Sequence, residues 1–308
     1  MSMEVIDRPS LAARTTLRMG GHALAELTIR SDGDWDEAAR RLEREGGHPF
    51  ILGGGSNLLA GEGYLPYVLL RPELSGSIEV ISDTDRSLEL RMDAGVRLPR
   101  LMGWSAKFGL SGLEPLAGIP GTVGGAAAMN AGSFGAEFGQ AVRRLQIWTP
   151  ENGLGWVDRE ALGFSYRKLL LEQGSRLFAI NRLELSLVKE EPDTVRQSLK
   201  QYYRRKKQSQ PILARTCGCV FKNPTEGLPA GALLDRSGLK GTVLGQVGFS
   251  RTHANFLVNL GQGDSRDAFR LIDKARAIVQ KRFGVALELE VRTLEDPELS
   301  STNRAAAA

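Results

Sequence analysis

Thiols are scarce in this chain: Cys217 and Cys219 are the only two, and a single residue separates them. That spacing excludes a disulfide framework and a closed zinc site, so either cysteine matters only as a thiol. Long hydrophobic runs are missing too. No stretch reaches 18 apolar residues, so no membrane-spanning segment and no membrane partner is expected. The opening MSMEVIDRPSLAART carries an early acid and no continuous apolar stretch. It does not read as a secretory leader, and the expected location is cytoplasmic. Histidine numbers 3. His253, in SRTHANF, has no second ligand beside it, reads as a loop anchor, and no metal site is expected. Charge of one sign is barely in excess, at +4 with pI ≈ 9.1. That excess suits an anionic substrate, and solvated Lys and Arg explain it equally well; no nucleic-acid motif accompanies it, so a nucleic-acid partner is not expected.

What is present is an ordinary globular composition, 42% hydrophobic and 25% charged over 308 residues, a length natural for two or three small domains. WDEAARRLER (35–44) has helical spacing, and a buried strand at 50–52 runs from it into a glycine loop. YLPYVLLR, SIEVISD and SLELRMDAGV read as short strands bounded by Gly, Pro or Asp. LPRLMGWSAKFGL reads as a helix, with Leu98, Leu101, Met102, Ala106 and Leu110 on related turns. VRRLQIW, LGWVD and LFAINRLELSLV add strands. VKEEPD (188–193) marks a boundary, followed by a polar helix in TVRQSLKQYYRRKKQ. DAFRLIDKARAIVQKRFG is an amphipathic helix and ALELEVRTL a terminal strand. The fold class is α+β without regular βα alternation.

Two glycine-rich segments are candidates for ligand binding, the first reading equally as a structural turn and the second alternatively as a tight interdomain crossing. Gly53, Gly54, Gly55, Ser56 and Asn57 follow a strand directly, where bare backbone and a hydroxyl can donate to diphosphate oxygens. This is not the GxGxxG dinucleotide fingerprint, because the long helix and ribose-binding acid do not follow. The second segment, Gly118, Ile119, Pro120, Gly121, Thr122, Val123, Gly124, Gly125 and then Asn130, Ala131 and Gly132, has little side-chain volume for a core. A flat or anionic ligand lying on backbone accounts for it better than a turn.

GGGSNLL followed by GLEPLAGIPGTVGGAAAMNAG resembles the UDP-N-acetylenolpyruvoylglucosamine reductase family. The likeness continues through Tyr166-Arg167, GCVFKNP, AGALLDRSGLKG, VGFSRTHANFLVN and LELEVR. It implies an FAD-binding fold of the vanillyl-alcohol oxidase type, with two FAD-binding subdomains at 1–75 and 76–190. A C-terminal α+β substrate domain would occupy 191–295, with a disordered tail at 296–308. It implies non-covalent FAD, NADPH as hydride donor and UDP-N-acetylglucosamine enolpyruvate as substrate. The two glycine segments would hold the cofactor. Arg167, Cys219 and Glu290 would be catalytic, Cys219 giving the proton. Tyr166, Lys207 and Asn223 would meet the nucleotide-sugar. The short span from Arg167 to Lys207 resembles the class without a long tyrosine-bearing substrate loop, and a monomer or weak oligomer is expected.

This chain departs from the family pattern in four places. Thr15-Thr16 stands for Asn-Thr, Leu169 for a Ser, Thr216-Cys217 for Ser-Ala, and Cys219 for the proton-donating Ser.

Chemically, a side chain cannot transfer hydride, so a redox carrier is required. Negative charge builds beside the substrate carboxylate, which suits a guanidinium fork such as Arg167. Alternation along LELEV puts Leu287, Leu289 and Val291 on one face and turns Glu290 to solvent; only the resemblance makes it catalytic. The basic run 204–207 reads alone as a solvated helix face. His22 in RMGGH imitates a covalent flavin-attachment loop, but that position corresponds to Ser56. The competing readings are a flavin-binding paralogue without reductase activity, argued by Cys219, and a carbohydrate oxidase on the same fold.

Overall fold

The computed structural model describes residues 3–74, 76–172, 174 and 177–296. The expected disordered tail therefore lies outside the described residues from 297 onward. The backbone forms two compact units. The first comprises Met1–Ile6, Ala25–Gly54 and Val68–Lys206; the second comprises Asp7–Leu24, Gly55–Tyr67 and Lys207–Ala308. The last passage between them falls inside one helix, Pro192–Ser209. Among the described residues no helix is long and apolar enough to cross a membrane.

Two cores build the first unit. In one, the helix Gly33–Glu45 begins with Asp34 and Asp36 against its positive end and stops at Gly46, whose positive φ of 73° a side chain would resist. It buries Trp35, which stacks on Trp148 at 4.8 Å and donates its indole N–H to Asn181 Oδ1 at 2.9 Å. Burying a large ring with its polar handle satisfied fixes the helix against the sheet. The other core lies under an antiparallel sheet ordered Gly153–Asp158, Val142–Thr149, Ala179–Lys189, Ser87–Asp93, Ile78–Asp83. Alternation is visible in Ser87–Asp93, where Leu88, Leu90 and Met92 are buried. The helix Leu98–Phe108, with Pro at its start and Gly109 in the left-handed region at its end, packs Leu98, Leu101 and Met102 into this core. The expected helices and strands here occur within a few residues of their expected bounds.

In the second unit an antiparallel sheet is ordered Arg215–Cys219, Phe256–Asn259, Val247–Phe249, Val243–Leu244. The helix Ser265–Phe283, capped by the Asp264 carboxylate and ended by Gly284, buries Ala268, Leu271, Ile272, Ala275 and Val279. Ala230–Arg236 packs Leu233 and Leu234 into the same core. One expectation needs correcting. The terminal strand expected over ALELEVRTL is regular only at Arg292–Leu294, which pairs in parallel with Leu58–Ala60. Before it, Leu289 makes a single bridge to Phe221. Leu287, Leu289 and Val291 still face the core and Glu288 is exposed, so the alternation survives without a continuous ladder, Glu290 alone departing from it as half-buried.

Candidate active site

In the first unit, the glycine segments meet backbone to backbone. A Cβ on Gly54 would stand 2.7 Å from the Gly121 Cα, closer than real side chains approach, so only glycine fits. Thr122 then caps the short helix Val123–Ala128, its Oγ1 accepting the Gly125 N–H at 3.2 Å. Gly124 packs on Ala94, and Ile119 and Ala131 lie against the large core. The N–H groups of Gly53, Gly54 and Gly121 donate to no protein acceptor among the described residues. Adjacent free N–H groups on bare backbone are an anion cradle.

Asn130 is fully buried and fully used. Its amide donates to Glu137 Oε2 at 2.8 Å and to the Ser165 carbonyl at 3.0 Å, while its Oδ1 accepts the Gly139 N–H at 3.0 Å. Ser165 ends the strand Leu162–Ser165 and Lys168 starts Lys168–Leu171, leaving Tyr166-Arg167 as a two-residue turn. Arg167 holds φ 58°, a conformation that costs a non-glycine residue energy. Such strain at a turn that would accept glycine points to a use for the guanidinium. Gly132 makes room for it, since a Cβ there would lie 3.0 Å from Arg167 Nη1. The guanidinium carbon sits 5.1 Å from the Tyr166 ring, and Tyr166 itself is exposed. Leu169 is core, 3% exposed.

Sequence reasoning missed Lys206. Inside the run taken for a solvated face, it is 2% exposed and donates to the Pro115 carbonyl at 3.3 Å. Burial first, and the Arg167 charge second, lower its ammonium from 10.5 to about 8. Gly118 lies against Tyr203 and Lys206. Phe134, at φ 51°, stands 5.4 Å from the Tyr202 ring under the Arg205 guanidinium. Helical spacing of the run 202–206 was the available signal, because Tyr202 and Lys206 are four residues apart.

In the second unit, a β-bulge decides what the two cysteines do. Thr216 pairs with Val258 but Cys219 pairs with Phe256, so the strand has one residue in excess. In a regular strand Cys217 and Cys219 would share a face; the extra residue turns them to opposite faces. Cys217 enters the core and burial pushes its thiol up to about 12, whereas Cys219 is half-buried. Glu290 is brought to the same place. Its N–H donates to the Val220 carbonyl at 2.8 Å, next to Cys219 in the chain. It is half-buried, not turned wholly to solvent as alternation implied.

Asn255, also missed, clamps Phe221 from both sides, accepting its N–H at 2.9 Å and donating to its carbonyl at 2.7 Å. Asn57 donates its side-chain amide to the Glu290 carbonyl at 3.1 Å. Gly55 accepts the Thr16 N–H at 3.0 Å. Ser56 is half-buried between them. Asn223 is exposed and accepts the Ala230 N–H at 3.1 Å, and Lys207 is exposed near the end of Pro192–Ser209. His253 accepts the Asn255 N–H at 3.2 Å, as a loop anchor does, and His22 is exposed beside Tyr64. Thus Gly53, Gly54, Pro120, Tyr166 and Arg167 belong to the first unit with the rest of the second glycine segment. Gly55, Ser56, Asn57, Lys207, Cys219, Asn223 and Glu290 belong to the second.

Two family models match the chain. Residues 23–154 match the family model of an FAD binding domain. Residues 210–294 match that of the UDP-N-acetylenolpyruvoylglucosamine reductase C-terminal domain. The chain is 44% identical over 292 residues to the UDP-N-acetylenolpyruvoylglucosamine reductase of Nitratidesulfovibrio vulgaris, covering 95% of this chain and 99% of that one. To that of Anaeromyxobacter dehalogenans it is 41% identical, over 94% of this chain and 84% of the other. A crystal structure of the reductase from Thermus caldophilus superposes with a TM-score of 0.78 at 32% identity, covering 96% of this chain and all of that one.

Proposed function

The chain belongs to the UDP-N-acetylenolpyruvoylglucosamine reductase family of FAD-dependent oxidoreductases, and from that premise we propose that it reduces UDP-N-acetylglucosamine enolpyruvate to UDP-N-acetylmuramate. NADPH is the proposed hydride source, peptidoglycan precursor synthesis the proposed setting and the cytoplasm the proposed location. We assign 1–75 and 76–190 to flavin binding and 191–295 to the substrate. The observation that carries this reading is the hydrogen-bonded pairing of the Cys219 and Glu290 segments. That backbone pairing supports reading Cys219 as the proton donor and Glu290 as the group that orders it.

The residues fit FAD. The free N–H groups of Gly53, Gly54 and Gly121 suit its phosphates, and Ser56, where a histidine would make a covalent link, leaves it non-covalently held. When bound, it supplies the hydride chemistry that no side chain can. This chain's residues do the rest. As hydride adds to the enolpyruvyl double bond, negative charge develops on the carbon bearing the carboxylate. The Arg167 fork grips that carboxylate and stabilises the charge. Cys219 delivers the proton to that carbon, and Glu290 orders the donor. Phe134, Tyr202 and Arg205 offer aromatic and cationic surface to the nucleotide, Lys206 and Lys207 offer charge to its diphosphate, and Asn223 hydrogen-bonds the sugar.

Stopped-flow mixing of the FAD-loaded protein with NADPH, then with UDP-N-acetylglucosamine enolpyruvate, tests the reading. Rapid bleaching of the flavin followed by rapid return with substrate, and only slow return with oxygen, is expected. Return with oxygen alone would replace the reductase with an oxidase.

A further inference from the structure

Cys219 and Glu290 sit on backbone without a continuous sheet ladder. The strand Arg215–Cys219 is at the edge of its sheet and is bulged, with Gly218 at φ 79° immediately before Cys219. Glu290 lies in irregular chain between one isolated bridge and the start of Arg292–Leu294. Neither position is fixed by a continuous ladder, yet proton transfer needs the donor placed to a fraction of an ångström.

Two side chains add constraint from outside the ladders. Thr16 donates its hydroxyl to the Thr216 carbonyl at 2.6 Å, on the edge strand, while its N–H donates to the Gly55 carbonyl at 3.0 Å. Thr216 in turn ties the bulge, donating to the Leu257 carbonyl at 2.6 Å and accepting the Gly218 N–H at 3.2 Å. On the other side, Asn57 donates to the carbonyl of Glu290 itself at 3.1 Å and accepts the Arg292 N–H at 3.1 Å on its own carbonyl. The Glu290 N–H closes the path onto Val220 at 2.8 Å. A closed circuit results, running from Gly55 through Asn57, Glu290, Val220, Cys219, Thr216 and Thr16 back to Gly55. Every segment in it belongs to the second unit.

We propose that Thr16 and Asn57 are positioning residues that hold Cys219 and Glu290 in register with each other through this frame, pivoting on the Gly55–Asn57 loop. Asn57 thereby serves the acid pair whether or not it also touches the flavin. The inference rests on the proposed proton-donor role of Cys219. Thr16 reaches the donor through Thr216 and its bulge, so its loss is expected to alter how well the proton is delivered and to leave hydride uptake alone.

Thr16→Val keeps shape and removes the hydroxyl, Thr16→Ser keeps the hydroxyl, and Asn57→Asp keeps size while removing the donor to Glu290. In FAD-loaded Thr16→Val, reduction by NADPH is expected within about two-fold of wild type. Return of the oxidised flavin with UDP-N-acetylglucosamine enolpyruvate is expected to slow on the order of ten- to a hundred-fold. Its pH profile should move, and Thr16→Ser should restore both. A second measurement needs no turnover: in a Cys217→Ala background, iodoacetamide alkylation of Cys219 should change rate several-fold in Thr16→Val and recover in Thr16→Ser. Equal slowing of both half-reactions, a Ser variant as impaired as Val, or unchanged alkylation would each overturn the frame. If Thr16→Val does not fold, Asn57→Asp decides from the opposite side of the circuit by the rate of Cys219 alkylation in the Cys217→Ala background. Should the wild type itself fail to oxidise with substrate, the proposed function falls, while alkylation still judges the frame.

Discussion

Arg167 carries a backbone cost that its proposed role at the substrate carboxylate would explain. It occupies the second place of a two-residue hairpin turn at φ 58°, where Gly or Asn is the ordinary choice. Arg167→Gly is expected to leave thermal stability unchanged or raise it by about 1 kcal/mol, since the strain goes and some chain entropy is lost. Turnover should fall at least about a hundred-fold because the charge-stabilising fork is gone. Calorimetry beside steady-state kinetics checks both halves; a clear drop in melting temperature would make the turn's arginine structural. Arg167→Lys should recover little activity, because one ammonium cannot reproduce a planar fork.

The two cysteines make a sharper contrast. With its thiol pushed up to about 12 in the core, Cys217 carries almost no thiolate near neutral pH and should resist alkylation. Half-buried Cys219 should react, so alkylation should inactivate the wild type and spare Cys219→Ser. Cys219→Ala should accept electrons from NADPH normally and return them to substrate slowly, measured by flavin absorbance. Normal return in that variant would remove Cys219 as donor.

At the scale of the element, the helix Pro192–Ser209 reads as polar throughout, yet it buries Val195 and Lys206. Below about pH 8 the folded chain must keep a charged ammonium out of water; the unfolded chain keeps its ordinary value of 10.5. Between those values the unfolded state binds more protons, so this group's contribution to stability rises with pH, by on the order of 3 kcal/mol at most. Lys206→Met is therefore expected to be more stable than wild type at pH 7, and its melting temperature should rise less than that of wild type between pH 8 and 10. Binding of an anionic substrate that uses the Lys206 charge should weaken as pH rises through about 8, seen as a rising KM that Lys206→Met lacks. A KM equally flat in both proteins would leave Lys206 a packing residue.

For the whole molecule, the flavin and the fold are thermodynamically linked. Ser56 offers no histidyl attachment, so acid precipitation should release all FAD into the supernatant, and yellow colour left on the pellet would refute a non-covalent site. Binding only the folded chain, FAD at a hundred times its Kd should add about 2.7 kcal/mol of stability. Thermal melts across an FAD titration would measure it.

Much of this was legible in the sequence. Apolar spacing marked the helices Gly33–Glu45, Leu98–Phe108 and Ser265–Phe283, because a 3.6-residue period survives any tertiary context. Ordered blocks of residues identified the family, and 44% identity along 95% of the chain agrees. What the sequence could not contain were relations between segments distant in the chain. Alternation turned Glu290 to solvent, but pairing with Val220 partly buries it. Two cysteines at strand spacing should face together, but a bulge, set by how Arg215–Cys219 meets Phe256–Asn259, sends them apart. A basic run looked solvated until Pro115, about ninety residues earlier, accepted a bond from Lys206. Local periodicity is fixed by bonds along the chain and can be read from it. Burial, register and the partner of a hydroxyl such as that of Thr16, two hundred residues from the carbonyl it meets, depend on which surfaces the folded chain presses together.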